Sequence, residues 1–237
     1  MWDFDGINQR PDDVYALSEE LLNGSQNDTF PYETEVLGTP IIVLANVFSP
    51  RYMLGAEPFT RMLNFQPEID VLEIGPGTGA IAVQAALAGA RRVLAIDINP
   101  AAVANTQANI DKHGLGDRME VREGDIFEPL QPGETFDLIF WNVPFAYVEP
   151  GIEPTPLQRS TLDPGYQATR RYIHQGRRHL KPGGRLVLGF SSVIGRLELV
   201  EQIAAEAGLE ARITAREEGP EEFPMPTELI EFFPRGG

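Results

Sequence analysis

Residues 71–83 read Val-Leu-Glu-Ile-Gly-Pro-Gly-Thr-Gly-Ala-Ile-Ala-Val, and this stretch decides the fold. Its apolar start, broken by one acid, predicts a buried strand. The three glycines that follow remove Cβ atoms, so the backbone can turn sharply and a ligand can lie against it. The apolar, alanine-rich residues after the turn predict a helix. A strand, a glycine-rich turn and a helix in this order are typical of the first βα unit of a nucleotide-binding fold.

A second apolar strand is predicted at residues 92–97, and it ends in Asp97. A carboxylate at the carboxyl end of the strand beside the first one can accept hydrogen bonds from ribose hydroxyls. The pattern of Gly75, Gly77 and Gly79 also satisfies the dinucleotide fingerprint. A nicotinamide-dependent oxidoreductase therefore stays open as an alternative.

Two residues of the turn favour a cofactor without phosphate. Glu73 stands just before the turn, where its charge would repel a pyrophosphate lying on the helix N-terminus. Pro76 removes one of the backbone N–H groups that would cradle such a phosphate. An acid-lined pocket suits a phosphate-free cofactor with a positive centre. S-adenosylmethionine, which carries a sulfonium, an amine, a ribose and an adenine, has these properties.

Five motifs, spread over about residues 50–235, resemble those of the class I S-adenosylmethionine-dependent methyltransferases. In chain order they are residues 73–79, Asp97, residues 124–127, residues 136–145 and residues 180–186. In motif order the release-factor glutamine methyltransferases are the most similar group. The resemblance implies that Asp125 meets the adenine amine and that Ile126 packs on the adenine ring. The cofactor-binding residues that it implies are Glu73, Gly75, Gly77, Gly79, Asp97, Ile98, Asp125, Ile126 and Asn142.

Residues 142–145, Asn-Val-Pro-Phe, resemble the Asn-Pro-Pro-Tyr catalytic motif of that group, with Val143 in place of proline and Phe145 in place of tyrosine. By this resemblance, Asn142 and the carbonyl of Val143 would accept hydrogen bonds from an amine or amide and turn its nitrogen lone pair toward the methyl group. Pro144 would stiffen the turn, and the ring of Phe145 would stack on a planar substrate.

We therefore expect an S-adenosylmethionine-dependent methyltransferase that acts on an amide or amine nitrogen of a small molecule, a peptide or a protein. A C- or O-methyltransferase of specialised metabolism stays open, as does the oxidoreductase. No spacing typical of metal ligands is visible, so no metal is expected. The sequence leaves the oligomeric state open.

Composition narrows the choice of partners and of compartment. A net charge of −16 argues against a nucleic acid or an anionic membrane surface as a binding partner, because both attract basic proteins. The sequence has no cysteine, which excludes disulfides and thiolate chemistry. The first residues lack a signal-peptide pattern, and no apolar run reaches the length of a membrane span. These features predict a cytoplasmic protein.

Strands alternate with helices along the chain, which predicts an α/β, doubly wound, Rossmann-like sheet. The resemblance implies a seven-stranded mixed sheet in the order 3-2-1-4-5-7-6, with the last strand antiparallel. Residues 1–65 are expected to form a helix and hairpin appendage, and residues 66–237 the S-adenosylmethionine-binding domain. By the same resemblance, the segment at residues 47–52 borders the cofactor pocket.

The second half of the chain contains one long stretch without periodicity. Residues 146–165 hold several prolines and are predicted to form a structureless loop of about twenty residues. A loop of that length directly after the catalytic motif favours a substrate lid. A helix is predicted at residues 167–180, and the fifth strand of the sheet at residues 185–190.

Overall fold

The computed structural model describes residues 6–52, 55–220 and 225–236. The strands, numbered in chain order, are β1 (Tyr32–Val36), β2 (Thr39–Val43), β3 (Asp70–Ile74), β4 (Arg92–Asp97), β5 (Met119–Glu123), β6 (Phe136–Asn142), β7 (Ala146–Val148), β8 (Leu162–Pro164), β9 (Leu180–Phe190), β10 (Leu209–Glu217) and β11 (Thr227–Pro234). The α-helices are α1 (Pro11–Ser25), α2 (Ala56–Leu63), α3 (Ala80–Leu87), α4 (Pro100–His113), α5 (Gln167–Gly176) and α6 (Leu197–Glu206).

Seven strands form one mixed sheet in the order β5-β4-β3-β6-β9-β11-β10. The pairs from β5 to β9 are parallel, whereas β11 is antiparallel to both of its neighbours. Counted along the chain within this sheet, the order is the predicted 3-2-1-4-5-7-6. The prediction of a doubly wound α/β fold is therefore confirmed.

The central strands are apolar because both of their faces are covered by helices. Successive side chains of a strand point to opposite faces, so Val71 and Leu72 of β3 belong to two different cores. Leu72 packs in the core that includes residues of α1, α5 and α6, such as Val200. Val71 packs in the core formed with α2, α3 and α4, to which Phe59 contributes. The two cores position the carboxyl ends of β3, β4 and β6 along one edge.

The turn after β3 has the geometry that its glycines predict. Gly75, Gly77 and Gly79 have φ values of 62°, 59° and 80°, and residues with a Cβ atom rarely adopt this backbone conformation. The backbone N–H of Gly75 donates to the carbonyl of Ile96, at a distance of 2.8 Å, and so ties the turn to β4. The chain then enters α3.

Helix α4 begins and ends as its sequence predicts. The Oδ1 atom of Asn99 accepts a hydrogen bond from the backbone N–H of Ala101 at 3.0 Å, and Pro100 occupies the first helical position. Gly114 ends the helix in the left-handed conformation, with a φ of 63°.

The N-terminal helix and the hairpin are both present, as α1 and as the β1–β2 pair. Two fully buried side chains of α4 hold the hairpin against the sheet domain. Asn105 accepts from the N–H of Leu44 and donates to the carbonyl of Ile42, both at 2.8 Å. Asn109 accepts from the N–H of Ile42 at 2.8 Å. The hairpin is thus tied to α4 by backbone-directed hydrogen bonds.

The prediction that residues 146–165 are structureless is wrong. This segment contains β7 and β8, which pair in parallel, and a short 3-10 helix at Gln158–Ser160. Strands of three residues are too short to show a hydrophobic alternation in the sequence. The segment therefore contains regular secondary structure.

The boundaries of α5 and β9 also differ from the prediction. The helix ends at Gly176, a short 3-10 turn follows at Arg177–His179, and β9 begins at Leu180. A Cβ atom at Gly176 would lie 2.6 Å from Cδ1 of Leu186, so the absence of a side chain allows α5 to pack closely on β9. Within the described residues, none of the helices combines the length and the apolar character that a bilayer span requires.

Candidate functional site

A cavity lies at the carboxyl edge of the central strands, where ligands bind in open α/β sheets. Its wall combines the glycine turn after β3, the ends of β4 and β6, and the turn after β5. Residues 47–50, after the hairpin, form a further part of the wall, and residues between 156 and 164 together with α5 complete it. The resemblance placed the segment at residues 47–52 beside the pocket, and the structure places its first four residues in the wall.

Most of the residues predicted for the site come together in this cavity. Those in the wall are Glu73, Gly75, Gly77, Asp97, Ile98, Asp125, Ile126, Asn142 and Pro144. Gly79, Val143 and Phe145 do not line it. The cavity therefore gathers residues from four separate motifs of the sequence.

Glu73, at the end of β3, is a buried acid with an unused acceptor. Its side chain is 2% exposed, and its Oε2 atom accepts no hydrogen bond from the described residues. Burial raises the pKa of Glu73 from 4.5 to about 8, a hydrogen bond from the backbone N–H of Ala82 opposes the rise, and the charge of Asp97 adds to it. A positive group placed beside this carboxyl would stabilise its ionised form.

Asp97, at the end of β4, accepts hydrogen bonds from the glycine turn and from the start of the segment that leads into α4. Its Oδ2 atom accepts from the N–H of Gly77 at 3.1 Å, and its Oδ1 atom accepts from the N–H of Asn99 at 2.9 Å. Burial raises the pKa of Asp97, and these backbone hydrogen bonds oppose the rise. A carboxylate has about four lone-pair positions, so this one can still accept hydrogen bonds from a ligand.

The three glycines of the turn have different neighbours. A Cβ atom at Gly75 would lie 2.8 Å from Nε1 of Trp141, and one at Gly77 would lie 4.0 Å from the side chain of Val47. A Cβ atom at Gly79 would lie 2.9 Å from the side chain of Thr106 in α4. Gly75 thus allows the indole of Trp141 to pack against the turn, Gly77 leaves the cavity wall bare, and Gly79 allows α3 and α4 to approach one another.

Asp125 forms an ion pair that the sequence did not predict. Its Oδ2 and Oδ1 atoms accept from Nη1 and Nη2 of Arg171 at 2.7 and 3.1 Å, a bidentate geometry. Arg171 comes from α5 and lines the same cavity. The pair fixes the plane of the Asp125 carboxylate at the end of the cavity where Ile126 also lies.

Asn142 ends β6 and carries a second unused acceptor. Its Oδ1 atom is buried and accepts no hydrogen bond from the described residues. A buried acceptor without a donor costs about 1–3 kcal/mol. Asn142 and Glu73 thus both line one cavity, and each carries a buried oxygen atom that accepts no hydrogen bond from the described residues. Trp141, the residue before Asn142, also lines the wall and was not predicted.

The structure does not bring the ring of Phe145 into the cavity. The side chain is 8% exposed, and its ring packs edge-on against Phe190 with the ring centroids 6.0 Å apart. The ring of Phe145 is therefore part of the hydrophobic core. The side chain of Val143 is buried as well, and the N–H of Val143 donates to the carbonyl of Gly189 at 3.3 Å.

Comparisons with known proteins agree on the kind of domain. A family model described as a methyltransferase domain matches residues 71–158. A release factor glutamine methyltransferase from Geobacter sulfurreducens is 30% identical over 221 residues, which cover 87% of this chain and 75% of that protein. One from Gloeobacter violaceus is 38% identical over 129 residues, which cover 50% of this chain and 44% of that protein.

Other comparisons set the limits of this likeness. The chain spans about half the length of some curated relatives, 44% for the Gloeobacter violaceus enzyme and 48% for the Rhodopirellula baltica release factor glutamine methyltransferase. Among solved structures, the ribosomal protein L11 methylase of Lactobacillus delbrueckii subsp. bulgaricus has a TM-score of 0.53 at 20% identity. That match covers 74% of this chain and 75% of the other, and it agrees with the fold described above.

Proposed function

Because the chain belongs to the S-adenosylmethionine-dependent methyltransferase family that includes the release factor glutamine methyltransferases, we propose that it methylates the side-chain amide nitrogen of a glutamine in a protein. The observation that carries the proposal is the pair of buried, unsatisfied oxygen atoms of Glu73 and Asn142 in one cavity. The carboxyl of Glu73 suits a cation, and the side-chain oxygen of Asn142 suits the N–H groups of an amide.

The residues of the cavity fit S-adenosylmethionine better than a dinucleotide. Glu73 would hold its amine, Asp97 its ribose hydroxyls, and Asp125 with Ile126 its adenine. The bare backbone at Gly77 gives room for the ligand beside these acids. A pyrophosphate in the same place would face the carboxylate of Asp97, which repels it. When bound, S-adenosylmethionine supplies a methyl group on a sulfonium, a good leaving group.

The chain's own contribution is to position the acceptor. The lone pair of an amide nitrogen is delocalised into the carbonyl, so the nitrogen is a weak nucleophile. A hydrogen bond from one of its N–H groups to Oδ1 of Asn142, which lines the cavity, would orient this nitrogen toward the methyl group. Orientation of this kind supplies a large part of the rate enhancement in group transfer.

The N-terminal part of the chain belongs to this site in our proposal. We propose that this part is an appendage to the domain that follows it, and it supplies residues 47–50 of the cavity wall. The names of the relatives place their substrates among release factors, which supports a cytoplasmic protein substrate. A net charge of −16 also favours a protein over a nucleic acid as the partner.

The test separates cofactor binding from transfer. Calorimetry measures the binding of S-adenosylhomocysteine, and mass spectrometry measures methylation of glutamine-containing peptides in the presence of S-adenosylmethionine. We expect that Asp97→Ala loses binding and that Asn142→Ala keeps binding but loses at least about tenfold in turnover. Peptides in which asparagine replaces glutamine are the matched control and should stay unmethylated. Unchanged turnover in Asn142→Ala, or a wild-type protein that does not bind S-adenosylhomocysteine, would overturn the proposal.

A further inference from the structure

One buried phenol joins the turn after β6 to two other parts of the fold. Tyr166, directly before α5, is 1% exposed. Its hydroxyl donates a hydrogen bond to the carbonyl of Phe145 at 2.6 Å and accepts one from the backbone N–H of Arg196 at 2.9 Å. The hydroxyl therefore satisfies two backbone groups that belong to different segments.

The turn at residues 142–145 is held at two points. Near its start, the N–H of Val143 bonds to Gly189 of β9 at 3.3 Å. At its end, the carbonyl of Phe145 bonds to the hydroxyl of Tyr166. Pro144 lies between these points, and its ring restricts the backbone further. The turn has no hydroxyl of its own, so its second anchor comes from outside it.

Tyr166 is itself held in place by the segment that covers the cavity. Its backbone N–H donates to the carbonyl of Asp163 in β8 at 3.1 Å. The carboxylate of Asp163 accepts from the N–H and the hydroxyl of Thr169 at 2.9 and 2.7 Å, which fixes the start of α5. The ring of Tyr147 packs edge-on against the ring of Tyr166 with the centroids 5.4 Å apart. These contacts hold the backbone and the ring of Tyr166 in place.

Burying a hydroxyl is unfavourable unless it forms hydrogen bonds, and phenylalanine would fill the same space without removing a polar group from water. Burial raises the pKa of Tyr166, so the group stays protonated and remains a hydrogen-bond donor throughout the neutral pH range. This donor is used at the end of the turn, where it bonds to the carbonyl of Phe145.

We propose that Tyr166 is a positioning residue, whose hydroxyl fixes the carbonyl of Phe145 and thereby the direction in which Asn142 faces the acceptor. The inference rests on the proposed methyl transfer. Without the hydroxyl, the end of the turn can rotate and the Asn142 side chain moves relative to the methyl group. A misplacement of this kind lowers the rate of transfer more than it lowers binding.

The chain offers a matched control in Tyr172. This residue is 0% exposed, and its hydroxyl lies within hydrogen-bond distance of two carbonyls, at 3.1 Å from Ile139 in β6 and at 2.8 Å from Val187 in β9. Tyr172→Phe is the same chemical change at the same depth, yet it affects the middle of the sheet and leaves the turn intact.

The first readout compares transfer with binding in the full-length variants. For Tyr166→Phe we expect kcat to fall about tenfold, while KM for the acceptor and Kd for S-adenosylhomocysteine stay within about twofold of wild type. For Tyr172→Phe we expect a lower Tm with kcat within about twofold of wild type. An unchanged kcat in Tyr166→Phe, or an equal loss in both variants, overturns the inference.

The second readout needs no activity. Hydrogen exchange followed by mass spectrometry reports the opening of the backbone around residues 142–148. We expect faster exchange there in Tyr166→Phe and wild-type exchange in Tyr172→Phe. Unchanged exchange in Tyr166→Phe refutes the positioning role even if the protein does not transfer methyl groups. A wild-type protein without turnover refutes the proposed function instead, so the two failures are distinguishable.

Discussion

Replacement of Glu73 by glutamine should abolish a proton release that accompanies cofactor binding. Burial raises the pKa of Glu73 to about 8, so most of this carboxyl is protonated at pH 7 in the free protein. The positive amine of a bound S-adenosyl cofactor favours the ionised form and lowers the pKa. Binding at pH 7 should therefore release close to one proton. Glutamine carries no proton that titrates in this range.

The raised pKa of Glu73 also makes the stability of the free protein depend on pH. A rise from 4.5 to about 8 corresponds to about 5 kcal/mol of penalty for the ionised form, at about 1.4 kcal/mol for each pH unit. In the free protein the folded state keeps the Glu73 proton over a pH range in which the unfolded state has lost it. The free energy of unfolding should then fall as the pH rises from about 4.5 to about 8, by up to about 1.4 kcal/mol per pH unit. This contribution is absent from Glu73→Gln.

The assay is calorimetry of S-adenosylhomocysteine binding at pH 7 in buffers with different ionisation enthalpies. The observed enthalpy should vary with the buffer for the wild type, with a slope close to one proton released, and should not vary for Glu73→Gln. The control is Glu228→Gln, a change of the same kind at a glutamate that is 0% exposed and paired with Ser192 and Arg216. This control should keep the wild-type slope. Equal slopes for the wild type and Glu73→Gln would refute the role assigned to Glu73.

Two further substitutions test how the cavity is built. Arg171→Met removes the ion pair that orients Asp125, so the affinity for S-adenosylhomocysteine should fall about fivefold. The affinity for S-ribosylhomocysteine, which lacks adenine, should not change. Calorimetry with both ligands measures the two affinities, and equal losses would contradict the role of the ion pair. Gly79→Ala combines a φ of 80° with a contact of 2.9 Å to Thr106, so it should lower the free energy of unfolding by about 2–4 kcal/mol in chemical denaturation. Gly114→Ala, with a φ of 63° and no atom within 4 Å of the added Cβ, should cost only about 1–2 kcal/mol, and equal costs for the two variants would contradict the packing role of Gly79.

The part of the fold near the glycine turn could be predicted because its signals are local. The alternation of strand and helix, the φ requirement of Gly75 and Gly77, and the cap at Asn99 act within a few residues of one another. The carboxyl ends of neighbouring parallel strands meet at one edge, so the positions of Glu73 and Asp97 followed from the same reasoning.

What the sequence did not predict depends on distant contacts or on small elements. Arg171 reaches Asp125 across 46 residues, and no local pattern links them. The direction of the Phe145 ring depends on how the chain leaves β6, which the motif alone does not specify. The strands β7 and β8 are three residues long, too short for a pattern to be visible.

The central claim is that buried acids over a bare glycine turn select a positively charged cofactor without phosphate. Calorimetric titration of the wild-type protein with S-adenosylhomocysteine and, separately, with NADH tests it most directly. We predict micromolar binding of S-adenosylhomocysteine and no detectable heat with NADH. Binding of NADH together with no binding of S-adenosylhomocysteine would contradict the claim.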